Sequence, residues 1–216
     1  MIFSKDKTAS FDVDVQKGFT PLCPDELPVA EGHTLAAALN FQAGLSRLRI
    51  GSKDAHPSNA IWKAGEGKPQ FSKIEGRNVD IRWNAHCIVG TTGHELIDGL
   101  PHPADYDFFV QKGIEPDMHP YGACYHDLAE RQSTGVIEFL KCKGIETVIV
   151  GGLATDYCVK TTAIQLRRAG FQVIVNLSAC RGIGEESVRS ALTEMADMGI
   201  SVVESLQPPR EQGNLS

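Results

Sequence analysis

Cys158 is the residue whose position best suits nucleophilic chemistry. It follows a short apolar, β-branched run, Glu146 to Gly151, and a Gly-Gly turn, which places it in the first turn of the next helix. Unpaired N–H groups and the helix dipole at that end favour an anion, so a thiolate is stabilised there. A cysteine nucleophile also needs a proton acceptor and a charge partner. Asp156 is too close along the chain and is expected to point elsewhere. Asp14, at the end of the first strand, is the candidate base. Lys112, at the end of the apolar run Tyr106 to Val110, is the candidate cation. Each has a plainer reading as a core thiol, a capping carboxylate or a surface charge, and spacing alone does not choose between the two.

A second constellation is Asp54-Ala55-His56, with His86 at the far end of a long irregular stretch. A carboxylate and an imidazole two positions apart after a strand can reach one cation, and His86 can add a third donor. Mixed nitrogen and oxygen donors suit one divalent ion, Zn²⁺ first, with Fe²⁺ or Mn²⁺ as alternatives. The remaining histidines, His33, His94, His102, His119 and His126, lack such spacing and read as surface or supporting groups. Gly65-Glu66-Gly67-Lys68 fails as a phosphate loop because Pro69 stands where Ser or Thr is required.

The elements that must position these residues are clearest in the C-terminal half. Strands are expected at Glu146 to Gly151, Phe171 to Val175 and Ile200 to Val203, with helices at Thr155 to Ala169 and Glu185 to Met198, the latter closed by Gly199. A helix over Thr134 to Lys143 feeds the first of these strands. In the N-terminal half, Thr8 to Val15 and Arg47 to Ser52 read as strands around a helix at Thr34 to Ser46. This alternation predicts an α/β fold of three layers, α/β/α, around a mainly parallel sheet. Ligands of such sheets sit beyond the carboxyl ends of the strands, where Asp14, Asp54, Lys112 and Cys158 all fall.

Residues 1–216 are expected to form one domain, with a long loop at about 55–86 and a loose tail from about Gln207. With 42% hydrophobic residues a sizeable core can form, and a net charge of −6 spread along the chain argues against a nucleic-acid partner. No basic-then-apolar leader and no apolar run long enough to span a membrane are visible, so a cytoplasmic protein is expected. In that setting the six cysteines read as reduced thiols, and the Asn-x-Ser triplets at Asn176 and Asn214 as chance matches. The sequence leaves homo-oligomer formation open.

Taken in order, the segments resemble the nicotinamidases of the isochorismatase-like cysteine hydrolase superfamily from about Thr8 to Val203. The matching stretches are Asp14-Val15-Gln16 with Phe19, Asp54-Ala55-His56-Pro57, Trp83-Asn84-Ala85-His86-Cys87, Lys112-Gly113 with Pro116-Asp117 and Tyr121, and, most specifically, Ala154-Thr155-Asp156-Tyr157-Cys158-Val159. The resemblance implies a triad of Asp14, Lys112 and Cys158, and a metal on Asp54, His56 and His86. It implies a ring pocket walled by Phe19, Trp83 and Tyr121, an oxyanion hole from the N–H groups of Ala154 and Cys158, and a cis peptide at Leu153–Ala154. The implied reaction is hydrolysis of nicotinamide to nicotinic acid and ammonia through a thioester. Ala60 and Trp62 stand where many relatives carry a further metal ligand, which leaves the coordination count open, with Glu66 as a conceivable substitute. Three other readings stay beside this one. They are a superfamily amidase for a ureido or carbamoyl substrate, a non-catalytic fold-mate that binds a metal or partner, and a redox thiol protein with Cys124 or Cys180 as resolving cysteine.

Overall fold

Six short β-branched segments pair into one all-parallel sheet in the computed structural model, which describes residues 3–206. They are β1 Thr8–Val13, β2 Leu48–Asp54, β3 Phe108–Lys112, β4 Thr147–Leu153, β5 Gln172–Arg181 and β6 Ser201–Val203, in the spatial order β3-β2-β1-β4-β5-β6. The helices are α1 Ala36–Gly44, α2 Val136–Cys142, α3 Lys160–Arg168 and α4 Glu185–Asp197. Among the described residues no helix is long and apolar enough to cross a membrane. The tail expected from Gln207 lies outside the described residues.

Hydrophobic patterning explains the layers. β4 is buried at every position, as a central parallel strand covered on both faces must be. Its Val148 and Val150 pack with Leu140 of α2, Leu166 of α3 and Met195 of α4. On the other face, Leu39 of α1 packs with Trp62, Val79 and Trp83. Helix α1 therefore covers only part of that face, and irregular chain covers the rest. The expected loop at 55–86 is the first part of a longer irregular segment between β2 and β3, held by isolated bridges such as Lys63 to Trp83 and Asn78 to Met118.

Two expected elements differ. The helix foreseen from Thr155 begins as a π turn, Thr155–Val159, before α3. Strand β5 runs well past Val175, to Arg181. Its partner register jumps from Val150↔Val175 to Gly152↔Cys180 across a bulge.

The strand order places a switch point between β1 and β4, from which the chain builds outward in opposite directions. A crevice opens there, beyond the strands' carboxyl ends. Gly152 of β4 makes close pairing with β1 possible. Its φ is +136°, and a Cβ would run into the backbone of Val13. Gly152→Ala is therefore expected to lower unfolding free energy by more than about 1 kcal/mol, read as a lower midpoint in urea at an unchanged slope.

Candidate active site

The carboxyl ends of β1 to β4 bring the four chemistry-bearing residues together. Asp14 follows β1 in a left-handed conformation, φ +49°, which aspartate tolerates better than most residues. Its Oδ1 accepts a 2.7 Å hydrogen bond from the Ser52 hydroxyl of β2. Asp54 ends β2, and Lys112 ends β3 directly opposite it in register. Gln16 clamps the backbone of Asp54, donating to its carbonyl at 2.8 Å and accepting from its N–H at 2.7 Å.

Lys112 is fully buried at the centre of this group. Its Nζ lies 3.0 Å from Asp14 Oδ2, 2.5 Å from Asp54 Oδ1, 3.1 Å from the Pro120 carbonyl and 3.7 Å from Cys158 Sγ. Burial opposes its charge, but the two carboxylates outweigh burial and hold its pKa well above the usual lysine value. Burial likewise pushes Asp54 up, and there Lys112 and His56 prevail, leaving it well below the usual carboxylate range. Asp14 goes the other way: burial raises its pKa, and Lys112 only partly offsets this.

Cys158 sits in the π turn with Sγ facing this cluster. Burial pushes its thiol well up. Lys112 opposes the shift, while Asp14 and Asp54 add to it. These influences together outweigh the stabilisation of a thiolate expected at a helix start. The first turn is not α-helical, and two carboxylates face the sulfur. Asp156 does point away, accepting from Ile183 N at 3.0 Å and from the Ser187 hydroxyl at 2.5 Å. The Leu153–Ala154 peptide is cis.

Beside the triad lie three buried imidazoles, those of His56, His86 and His119. Each offers a ligand nitrogen within 4.8 Å of the other two, an arrangement that could hold a metal ion. The Nδ1 of His56 meets the Gly113 carbonyl at 3.0 Å, and that of His86 meets the Asn84 carbonyl at 2.6 Å. A carbonyl only accepts, so both Nδ1 atoms carry a proton and both Nε2 atoms face the site, the usual arrangement of metal-binding histidines. Asp54 Oδ2 lies 3.4 Å from His56 Nε2 and 3.8 Å from His86 Nε2. Burial lowers the His86 pKa to about 3, with His56 adding to the shift, so its imidazole is neutral. Gly113, at φ +66°, has room for its turn only because it lacks a Cβ, which would strike the His56 ring.

His119, expected at the surface or in support, is 4% exposed and lies within this cluster. Glu66 is exposed and does not join it. Near the position where a further ligand was sought, Trp62 packs edge-on against His56, ring centroids 4.6 Å apart.

One cavity, with about 280 Å³ of empty space counting its mouth, opens onto both groups. Cys158, Asp54, His86 and His119 line it together with Phe19, Trp83, Tyr121 and Ala154. Leu27, Tyr157 and Ile183, which spacing did not single out, complete the wall. Trp83 Nε1 donates to the Tyr121 hydroxyl at 3.3 Å, and that hydroxyl donates to Asp80 at 2.8 Å.

Cys124 and Cys180, the resolving cysteines of the redox reading, are both free and buried. Burial raises both thiols, that of Cys180 to about 12, which leaves little thiolate for exchange.

Residues 9–207 match the isochorismatase domain family. The chain is 33% identical to a nicotinamidase of Acinetobacter baylyi over 89% of this chain and 90% of that one. Among solved structures, an Acinetobacter baumanii nicotinamidase/pyrazinamidase superposes with a TM-score of 0.83 at 34% identity, covering 92% of this chain and 96% of that one. A Pyrococcus horikoshii pyrazinamidase in complex with zinc superposes with a TM-score of 0.72 at 29% identity, over 91% and 98% of the two chains.

Proposed function

The chain belongs to the isochorismatase family of hydrolases, and on that premise we propose that it is a single-domain nicotinamidase, converting nicotinamide and water to nicotinic acid and ammonia. The observation that carries this reading is the convergence of two groups on one small aromatic cavity. A Cys158-Lys112-Asp14 cluster and a histidine cluster with Asp54 both face it. The first suits covalent amide cleavage. The second, with the Phe19, Trp83 and Tyr121 walls, suits a flat ring carrying a donor nitrogen.

In this reading Asp14 takes the proton of Cys158 Sγ as the sulfur bonds to the carboxamide carbon. The cation of Lys112 holds the charged pair together. The N–H groups of Ala154 and Cys158 receive the oxyanion, each such donor being worth about 3–4 kcal/mol in related chemistry. Asp14 returns the proton to the leaving nitrogen as the C–N bond breaks, which frees ammonia. Water then adds to the thioester, Asp14 takes its proton, and the C–S bond breaks to release the acid and restore the thiol. The residues present also fit a divalent metal, zinc first. His56 Nε2 is buried with no hydrogen-bond partner among the described residues, beside the neutral imidazole of His86 and the Oδ2 of Asp54. When bound there, the ion would bind the pyridine nitrogen and fix the ring, a positioning role.

Incubating the zinc-loaded protein with nicotinamide and assaying both products tests the reading. Equimolar ammonia and nicotinic acid are expected. Absence of both would sink the nicotinamide assignment and leave the chain as an amidohydrolase of another substrate.

A further inference from the structure

His119 has no assigned part in the reading above, yet it is the least satisfied polar group near the site. It is buried, and neither Nδ1 nor Nε2 has a hydrogen-bond partner among the described residues. Buried polar atoms are paired in nearly all native sites, and leaving one unpaired costs about 1–3 kcal/mol. The acceptor nitrogen of the ring is one that a bound cation would satisfy.

The ring is also held in place. It stacks on His56 with centroids 5.1 Å apart and planes within 13°, and meets the edge of Trp62 at 4.5 Å. Its backbone N–H donates to the Asn78 carbonyl at 2.8 Å. The atoms its nitrogens can approach are the ligand nitrogens of His56 and His86, within 4.8 Å. Three imidazoles that bring ligand nitrogens this close together are not hydrogen-bonded to one another, whereas a cation can bind all three.

We propose that His119 is a metal ligand of this chain, completing a set of three imidazoles and Asp54 Oδ2 that selects zinc over manganese. The inference rests on the metal part of the reading above and not on the choice of amide. Asp54 Oδ1 is committed to Lys112, so Oδ2 is the carboxylate oxygen left to give. Four donors of this kind suit zinc, which can expand to five-coordinate to admit a ring nitrogen. Each imidazole added to an oxygen-bearing site also favours the later divalent metals, whereas manganese prefers oxygen.

The test is competition for zinc between metal-free protein and a chromophoric chelator, with wild type, His119→Ala and His56→Ala compared. His119→Ala is expected to weaken zinc by about 100-fold or more, at or beyond the upper end of what outer-shell changes cost. It should also reduce the ratio of zinc to manganese affinity. Affinity within twofold of wild type for His119→Ala, alongside a large loss for His56→Ala, would overturn this inference and spare the metal reading. No loss in either variant would overturn both. X-ray absorption of the zinc-loaded wild type covers the case in which a variant does not fold. Three imidazoles are expected around the ion, and two would overturn the proposal.

Discussion

Replacing Cys158 with alanine is expected to lower ammonia release from nicotinamide by about 10⁴-fold or more, with fold and zinc binding retained. Loss of a nucleophile costs nearly as much as loss of the whole catalytic group, because the remaining members have nothing to activate. Here Asp14 would keep its carboxylate and Lys112 its charge, but no bond to the carboxamide carbon could form. The fold should survive because the change removes one buried sulfur from a core that also includes Val159, Ala163 and Val150. Zinc binding should survive because Asp54, His56 and His86 come from β2 and the segment after it, on the other side of β1 from the π turn. Activity above about one hundredth of wild type, with unchanged circular dichroism and zinc stoichiometry, would place the nucleophile elsewhere.

The sites of this chemistry were legible in the sequence to the extent that strand ends were. Asp14, Asp54 and Lys112 each close a strand, and Cys158 follows a fourth, β4, whose Gly151 and Gly152 lie inside the strand and not in the expected turn. In a parallel sheet the carboxyl ends share one edge, so residues far apart in the chain fall together. Strand β5 shows where that logic stops. Hydrophobicity fades after Val175 because Asn176 follows, yet Asn176 is buried. Its amide donates to Gln42 at 3.2 Å and its Oδ1 accepts from the Ser178 hydroxyl at 2.7 Å, so the strand continues on paired polar groups. His119 was invisible for a related reason. It lies in an aperiodic loop, and its place is set by a bond to Asn78 in another aperiodic segment. The upward shift of the Cys158 thiol was not legible because the helix-end argument is local, whereas burial and the two carboxylates are products of the fold.

Lys112→Met is expected to be the most destabilising single change at the site, by about 3–5 kcal/mol in metal-free protein. Methionine fills the volume of the lysine stem, so the loss isolates the charge. The wild-type ammonium lies within 3.0 Å of one carboxylate and 2.5 Å of the other, all three groups being buried. Without it, Asp14 and Asp54 are left as buried like charges with no cation at contact distance. For a chain of this length the loss corresponds to roughly 6–20 °C in melting temperature. Its pH dependence has a definite sign. In wild type the depressed pKa of Asp54 contributes stability above the usual carboxylate value of 3.8, lost as pH falls through the folded value. In the variant both carboxyl groups should titrate above 3.8, so they stabilise the fold only when protonated and weaken it as pH rises through their raised values. Both effects make the gap between variant and wild type narrow toward pH 4 and widen toward neutrality. Thermal melts of both metal-free proteins at pH 4.5 and 7.5 read this directly. A gap that stays constant with pH would mean that Lys112 stabilises the site by packing and not by charge. Its role beside Cys158 would then need another explanation, because a cation that does not stabilise Asp14 in the resting protein has little claim to stabilise the charged pair formed when the thiol gives up its proton.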